Sequence, residues 1–174
     1  MMTSFKPTWM LNSVYGLTPE ALQTHDIHTV LVDLDNTIVA WCDPLGTPAL
    51  KEWLQTLKEA HIQVAIVSNN RQNRVAKVAN ALDIPYIASA KKPLSSGLKK
   101  AMENLQSTPD KTIMVGDQLL TDIVAGTLSK MRTVMVKPLV NSDYFMTKIN
   151  RFFERRILAK WQKKYHLEWR ETLD

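Results

Sequence analysis

Cysteine is nearly missing from this 174-residue chain: Cys42 stands alone, so no internal disulfide can form. With four scattered histidines it makes no zinc-type cluster either, and as a lone small apolar side chain it reads as filler rather than a reactive thiol. Glycine is scarce at five residues and proline numbers eight, which excludes collagen-like and low-complexity chains. Long hydrophobic runs are absent too. Stretches such as Val64–Val67 last only a few residues, whereas a membrane-spanning helix needs about 20, so the chain is expected not to cross a bilayer. The start, Met1 to Leu11, lacks the charged-then-apolar layout of a secretory signal. Together these absences predict a reduced, cytosolic-type soluble protein. What is present suits a globular domain: 45% hydrophobic and 22% charged residues, in a length that accommodates one domain and an appendage.

The net charge of +5 is unevenly spread. Between Lys148 and Lys164 seven basic residues face Glu154 alone, a local charge of +6, and the rest of the chain stands at −1. The basic character therefore belongs to the C-terminal segment. Ile149, Phe152, Phe153, Ile157, Trp161 and Tyr165 form a helical stripe beside those charges. A basic amphipathic helix of this kind either packs its stripe on the domain or lies on an anionic membrane surface. Charge alone also admits nucleic acid, but no recognisable nucleic-acid motif accompanies it.

From His28 onward, short β-branched runs alternate with helical patterns. Strands are expected at His28–Asp33, Ile62–Val67, Pro85–Ala88, Lys111–Val115 and Arg132–Val136. Between them, helices are marked by Leu50, Trp53, Leu54 and Leu57; by Val75, Val78, Ala79 and Leu82; by Leu94, Leu98, Ala101, Met102 and Leu105; and by a run from Leu119 to Ser129. Continuous apolar strands separated by helices predict parallel pairing through right-handed crossovers. The expected fold is a three-layer α/β/α sandwich, Rossmann-type, on a mainly parallel sheet. Residues 1–25 read as an irregular lead-in with a short helix near Pro19–Thr24, residues 26–140 as the core, and residues 141–174 as a basic amphipathic helical segment.

In an open α/β sheet, ligands bind beyond the carboxyl ends of the strands. Asp33-Leu34-Asp35-Asn36-Thr37 follows the first strand, Ser68-Asn69-Asn70 the second and Lys91-Lys92-Pro93 the third. The fourth ends in Gly116-Asp117 with Asp122 five residues on. Carboxylates, a hydroxyl and a lysine thus converge on one edge, a set suited to a hard divalent cation beside a phosphate. Taken singly, each has an ordinary structural explanation: a polar turn, a helix cap at Ser68-Asn69, a solvated lysine.

In that order these motifs resemble the haloacid dehalogenase superfamily of phosphatases. DLDNT, VSNN, KP and GDQLLTD together resemble its subfamily IIIA and, within it, the YqeG-type proteins, which are similar to the mitochondrial phosphatidylglycerophosphate phosphatase. The resemblance covers roughly residues 5–155. It implies Asp33 as nucleophile, forming an aspartyl-phosphate, and Asp35 as acid and base. It implies that Ser68, Asn69 and Lys92 bind the phosphoryl group. Mg²⁺ would be held by Asp33, the Asp35 carbonyl and Asp117, with Asp122 close by, and Asn36 and Thr37 would support the first loop.

Family members often carry a cap domain in one of two gaps. Here 30 residues separate Thr37 from Ser68, and 23 separate Ser68 from Lys92; each interval is filled by ordinary core elements. A capless, open site is therefore expected, with Trp41, Cys42 and Asp43 at its rim. Such sites in the family act on large or surface-bound substrates. The activity this implies is Mg²⁺-dependent hydrolysis of phosphatidylglycerophosphate to phosphatidylglycerol, peripheral to the inner face of the membrane. The alternatives are another phosphomonoester (a phosphoprotein, a nucleic-acid end or a sugar phosphate) or a non-catalytic scaffold. Self-association is left open.

Overall fold

Four wholly buried residues, Thr29–Val32, form β2 at the centre of a parallel sheet, and the candidate chemistry lies beyond its C-terminal end. The computed structural model describes residues 5–40, 45–140 and 145–173, with side chains from residue 152 onward in the last stretch. Trp41, Cys42 and Asp43, expected at the rim, lie outside the described residues, as do the side chains of Lys148, Ile149 and Arg151.

The elements run β1 (Trp9–Leu11), α1 (Pro19–Thr24), β2, α2 (Pro48–Glu59), β3 (Gln63–Val67), α3 (Gln72–Leu82), β4 (Tyr86–Ile87), α4 (Ser96–Asn104), β5 (Thr112–Gly116), α5 (Val124–Leu128), β6 (Arg132–Val136), α6 (Phe145–Tyr165) and β7 (Trp169–Arg170). The sheet order is β4-β3-β2-β5-β6-β1-β7, every pair parallel. Thr29 to Val32 pair with Thr112 to Val115, so β2 and β5 end side by side.

Alternation along the strands sorts the core into layers. Val30, Val32, Val64, Ile66, Ile113 and Val115 join the face covered by α2 and α3, through Leu50, Leu57, Val75 and Val78. Leu31, Ala65, Val67 and Met114 turn to the other face, against Leu98, Ala101 and Ala125 of α4 and α5. A smaller cluster of Met10, Leu119, Ile123, Met135, Leu158 and Trp161 seats α6. Each fully buried aliphatic side chain here contributes roughly 1.5–3 kcal/mol. Helix starts are locally encoded: Thr18 and Thr47 accept amide hydrogen bonds from Ala21 and Leu50, each with a proline in the first turn.

The three-layer α/β fold is as expected, with differences at its margins. The lead-in is not merely irregular, because Trp9–Leu11 pair with both β6 and β7. The strand expected at Pro85–Ala88 shortens to two residues. Leu94 lies in the turn before α4 and is exposed, although its spacing matched the helical stripe. The helix expected from Leu119 opens as a single π-helical turn, Leu119–Ile123, before α5. On α6 the stripe divides: Trp161 is buried and Ile157 and Tyr165 pack on the core, whereas Phe152 and Phe153 face outward. Among the described residues no helix is long and apolar enough to cross a membrane.

Candidate active site

Asp33 is the first residue past β2, and its amide donates to the Val115 carbonyl at 2.9 Å, which sets it beside the end of β5. The chain then folds back on itself. Thr37, Ile38 and Val39 amides all bond to the Leu34 carbonyl, and Asn36 takes a left-handed φ of 63°. This turn buries Asn36 and Thr37 and points the Thr37 hydroxyl at Asp117, donating to Oδ1 at 3.1 Å.

Asp33, Asp117 and Asp122 are all buried, and each offers a carboxylate oxygen within 4.8 Å of the others. Lys92 answers them. Its ammonium donates to Asp33 Oδ1 and to Asp122 Oδ1, both at 2.7 Å, and it is as buried as they are. Three carboxylates and one ammonium leave a formal excess of two negative charges among buried side chains. An oxygen-only donor set of this charge fits a hard divalent cation such as Mg²⁺.

The same charges set the protonation equilibria. Burial pushes the Asp33 carboxyl from its ordinary 3.8 up to about 6; the Lys92 charge opposes the shift and the Asp122 charge adds to it. For Lys92, burial favours the neutral amine, but the charges of Asp122 and Asp33 outweigh it and hold the ammonium above its ordinary value.

Gly116 is required by close approach. A Cβ there would lie 2.1 Å from Asp122 Oδ2 and 2.3 Å from its Cγ. Asp122 also receives the Gln118 amide at 3.1 Å, so the π turn wraps its carboxylate against the end of β5. The turn is tied from outside by Glu154 of α6, a buried acid that accepts the Leu120 amide at 2.8 Å.

Ser68 is buried at the end of β3, and its hydroxyl accepts the Asn70 amide at 3.1 Å. Asn69 lines the same cavity and is engaged through its side chain. Its side chain bonds to both the carbonyl and the amide of Lys92, at 2.8 and 2.7 Å, bracing the lysine's main chain. Asp35 receives the Arg74 guanidinium at 2.6 and 3.2 Å and the Asn70 amide group at 2.9 Å. Sequence reasoning did not single out Asn70, Arg74, Gln118 or Glu154. For Arg74 the available signal was its place in the first turn of the helix after Ser68-Asn69-Asn70. For Glu154 it was being the single acid in the basic segment.

Asp33, Asp35, Ser68, Asn69, Lys92 and Asp122 line one open cavity of about 610 Å³. Asp117 and Thr37 stand beside it through the contacts above. A second cavity of about 600 Å³ lies at the opposite end of the strands, where Ile62, Gln63, Ile84 and Pro85 line it, away from the carboxylate cluster.

Residues 16–128 match the family model described as haloacid dehalogenase-like hydrolase. The chain is 39% identical over 167 residues to the Bacillus subtilis protein described as "Probable phosphatase YqeG", covering 96% of this chain and 97% of that one. It is 28% identical over 151 residues to the chloroplastic phosphatidylglycerophosphate phosphatase 1 of Chlamydomonas reinhardtii, covering 81% of this chain and 56% of that one. Among solved structures, the cobalt-bound deoxy-D-mannose-octulosonate 8-phosphate phosphatase of Haemophilus influenzae aligns with a TM-score of 0.51 at 16% identity, over 64% of this chain and 69% of that one. An uncharacterised Listeria monocytogenes protein aligns with a TM-score of 0.54 at 17% identity, over 68% and 85%. At such identities the two structures speak for the fold alone.

Proposed function

This chain belongs to the haloacid dehalogenase-like hydrolases and is a phosphatase, and we propose that it hydrolyses phosphatidylglycerophosphate at a membrane surface through an aspartyl-phosphate on Asp33. The observation that carries the chemistry is the buried Lys92 ammonium, bonded to Asp33 and Asp122 at the wall of an open cavity. It aims positive charge at the place where phosphoryl oxygens would meet the nucleophile.

In the first step an Asp33 oxygen attacks phosphorus and the ester P–O bond breaks. Asp35, on leaving its bonds to Arg74 and Asn70, takes a proton from solvent and passes it to the departing alcohol. In the second, Asp35 takes a proton from water, the oxygen attacks phosphorus, and the P–O bond to Asp33 breaks to release phosphate. Ser68 and Lys92 bind the phosphoryl oxygens, and Asn69 fixes the lysine from behind. Mg²⁺, held by Asp33, Asp117 and Asp122 with the Asp35 carbonyl, would supply positive charge that offsets the repulsion between carboxylate and phosphate.

Three observations support the lipid substrate. Among the described residues, the intervals between the motifs hold core elements and no cap. The Chlamydomonas relative carries phosphatidylglycerophosphate phosphatase in its name, although this chain spans 56% of its length. On α6, Phe152 and Phe153 are 53% and 55% exposed, stacked edge to face at 5.8 Å, with Arg156 over the Phe152 ring at 4.4 Å and exposed Arg155, Lys160, Lys163 and Lys164 on the same helix. Exposed aromatic residues on a basic helix suit an anionic bilayer, where each charge is worth about 1 kcal/mol. The Glu154–Leu120 bond places that helix against the catalytic turn.

The test is phosphate release from vesicles of phosphatidylglycerol doped with phosphatidylglycerophosphate, with and without Mg²⁺ and at rising salt. Release that needs Mg²⁺ and falls as salt detaches the enzyme is the expected result. An enzyme that hydrolyses p-nitrophenyl phosphate but leaves the lipid untouched contradicts the lipid assignment and turns attention to phosphoprotein, nucleic-acid and sugar phosphates.

A further inference from the structure

A cavity of about 400 Å³ on the far side of Asp117 has no part in the chemistry above. Asp117, Glu154, Lys137, Arg155, Leu158 and Trp169 are among its walls. We propose that it is a second anion subsite, which holds the phosphodiester of a substrate whose monoester phosphate sits at Asp33. This deepens the lipid-phosphate reading and rests on it, since phosphatidylglycerophosphate carries both groups on one glycerol.

Position comes first. Lys137 follows β6 as Asp117 follows β5, so the cavity opens on the same edge of the sheet, one strand further along. Asp117 belongs to the carboxylate cluster, whose oxygens lie within 4.8 Å of one another. The inner wall of the cavity therefore begins within a glycerol's reach of the nucleophile. The Leu139 amide donates to the Asn36 carbonyl at 3.0 Å, which ties the segment after β6 to the nucleophile's own turn.

Charge comes second. The two acids are buried at the floor and engaged there: Asp117 accepts from Thr37 at 3.1 Å, and Glu154 from the Leu120 amide at 2.8 Å. The two cations are exposed, at the mouth. The Lys137 ammonium lies 5.3 Å over the Trp169 ring, a cation–π contact that holds it at the rim. The planar fork of Arg155 matches phosphate oxygens. Leu158 supplies an apolar wall for the carbon chain between the two anions. A small aryl phosphate has no group to place there, so the subsite discriminates between substrates.

The probe is the deacylated head group, a glycerol with a phosphodiester at one end and a monoester at the other, compared with plain glycerol monophosphate. The parent enzyme should favour the two-phosphate compound in kcat/KM, mainly through KM, by about tenfold or more, as expected for one charge-assisted contact. K137Q combined with R155Q should remove most of that preference, and R155K should retain part of it. A parent enzyme with no preference, or a double variant that keeps the parent's preference, overturns the subsite. The parent comparison alone decides the matter should the double variant fail to fold. If both glycerol compounds and the lipid are left intact while p-nitrophenyl phosphate is hydrolysed, the lipid reading falls and the subsite with it.

Discussion

Replacing Lys92 by Met keeps most of the side chain's volume and removes its charge, so the variant isolates the contribution of one ammonium group. The parent ammonium makes two 2.7 Å bonds to buried carboxylates. Its loss leaves Asp33, Asp117 and Asp122 facing one another without it. Breaking a buried pair by removing one partner costs about 3–5 kcal/mol. For a chain of this size each kcal/mol moves Tm by about 2–4 °C, so the variant should unfold roughly 10 °C earlier in chelator at pH 7.5. The Lys92 ammonium is held above its ordinary 10.5, so its contribution is fully present below that value and is lost only at higher pH. A neutral-pH scan therefore reads all of it. The Asp33 carboxyl is raised to about 6, meaning that the folded state holds this proton more tightly than the unfolded one. Stability linked to Asp33 is greatest below 3.8 and is lost as pH rises through 6. The deficit in Lys92→Met should accordingly shrink when the scan is repeated at pH 5, and Mg²⁺ at pH 7.5 should recover part of it. A variant as stable as the parent at pH 7.5 in chelator would refute the argument that Lys92 offsets the carboxylate cluster.

Two further outcomes follow from the same cluster. Gly116→Ala drives a methyl into the Asp122 carboxylate, which Lys92 and the Gln118 amide hold in place; it should cost about 1–3 kcal/mol and blunt the thermal shift produced by Mg²⁺, and parent-like values for both would contradict the close-approach account. Mg²⁺ competes with the proton on Asp33, so calorimetric titration should show tighter binding at pH 7.5 than at pH 5 and weaker binding in Asp117→Asn; an affinity indifferent to pH and to Asp117 would count against the assigned ligands.

The central architecture was legible because β2, β3, β5 and β6 are buried on both faces and so read as unbroken apolar runs, and because α2 and α3 repeat apolar residues at helical spacing. Asp33, Ser68 and Asp117 were legible for a related reason: each stands just past such a run, and Lys92 stands a few residues beyond the short, half-buried β4. What the sequence hid depends on contacts distant along the chain. β1 and β7 are too short to show a period, and their pairing with β6 and with each other is a tertiary event. Leu94 kept helical spacing yet fell in a turn, since periodicity carries no information about where a helix begins. Arg74 reaches Asp35 across 39 residues and Glu154 reaches Leu120 across 34, distances over which local patterns are silent. The resemblance implies a phosphate-binding place for Asn69, and its bonds to the main chain of Lys92, 23 residues on, are another contact that local pattern does not reveal.

The measurement that bears most directly on the account is the identity of the phosphorylated residue. Enzyme mixed with a ³²P-labelled phosphomonoester and Mg²⁺, quenched in acid within a turnover, should carry a label that hydroxylamine removes, as an acyl phosphate requires, and peptide mapping should place it on Asp33. Asp33→Asn should fold, bind no label and release no phosphate. Turnover without a protein-bound phosphate, a label on another residue, or phosphate release by Asp33→Asn would each contradict nucleophilic catalysis by Asp33.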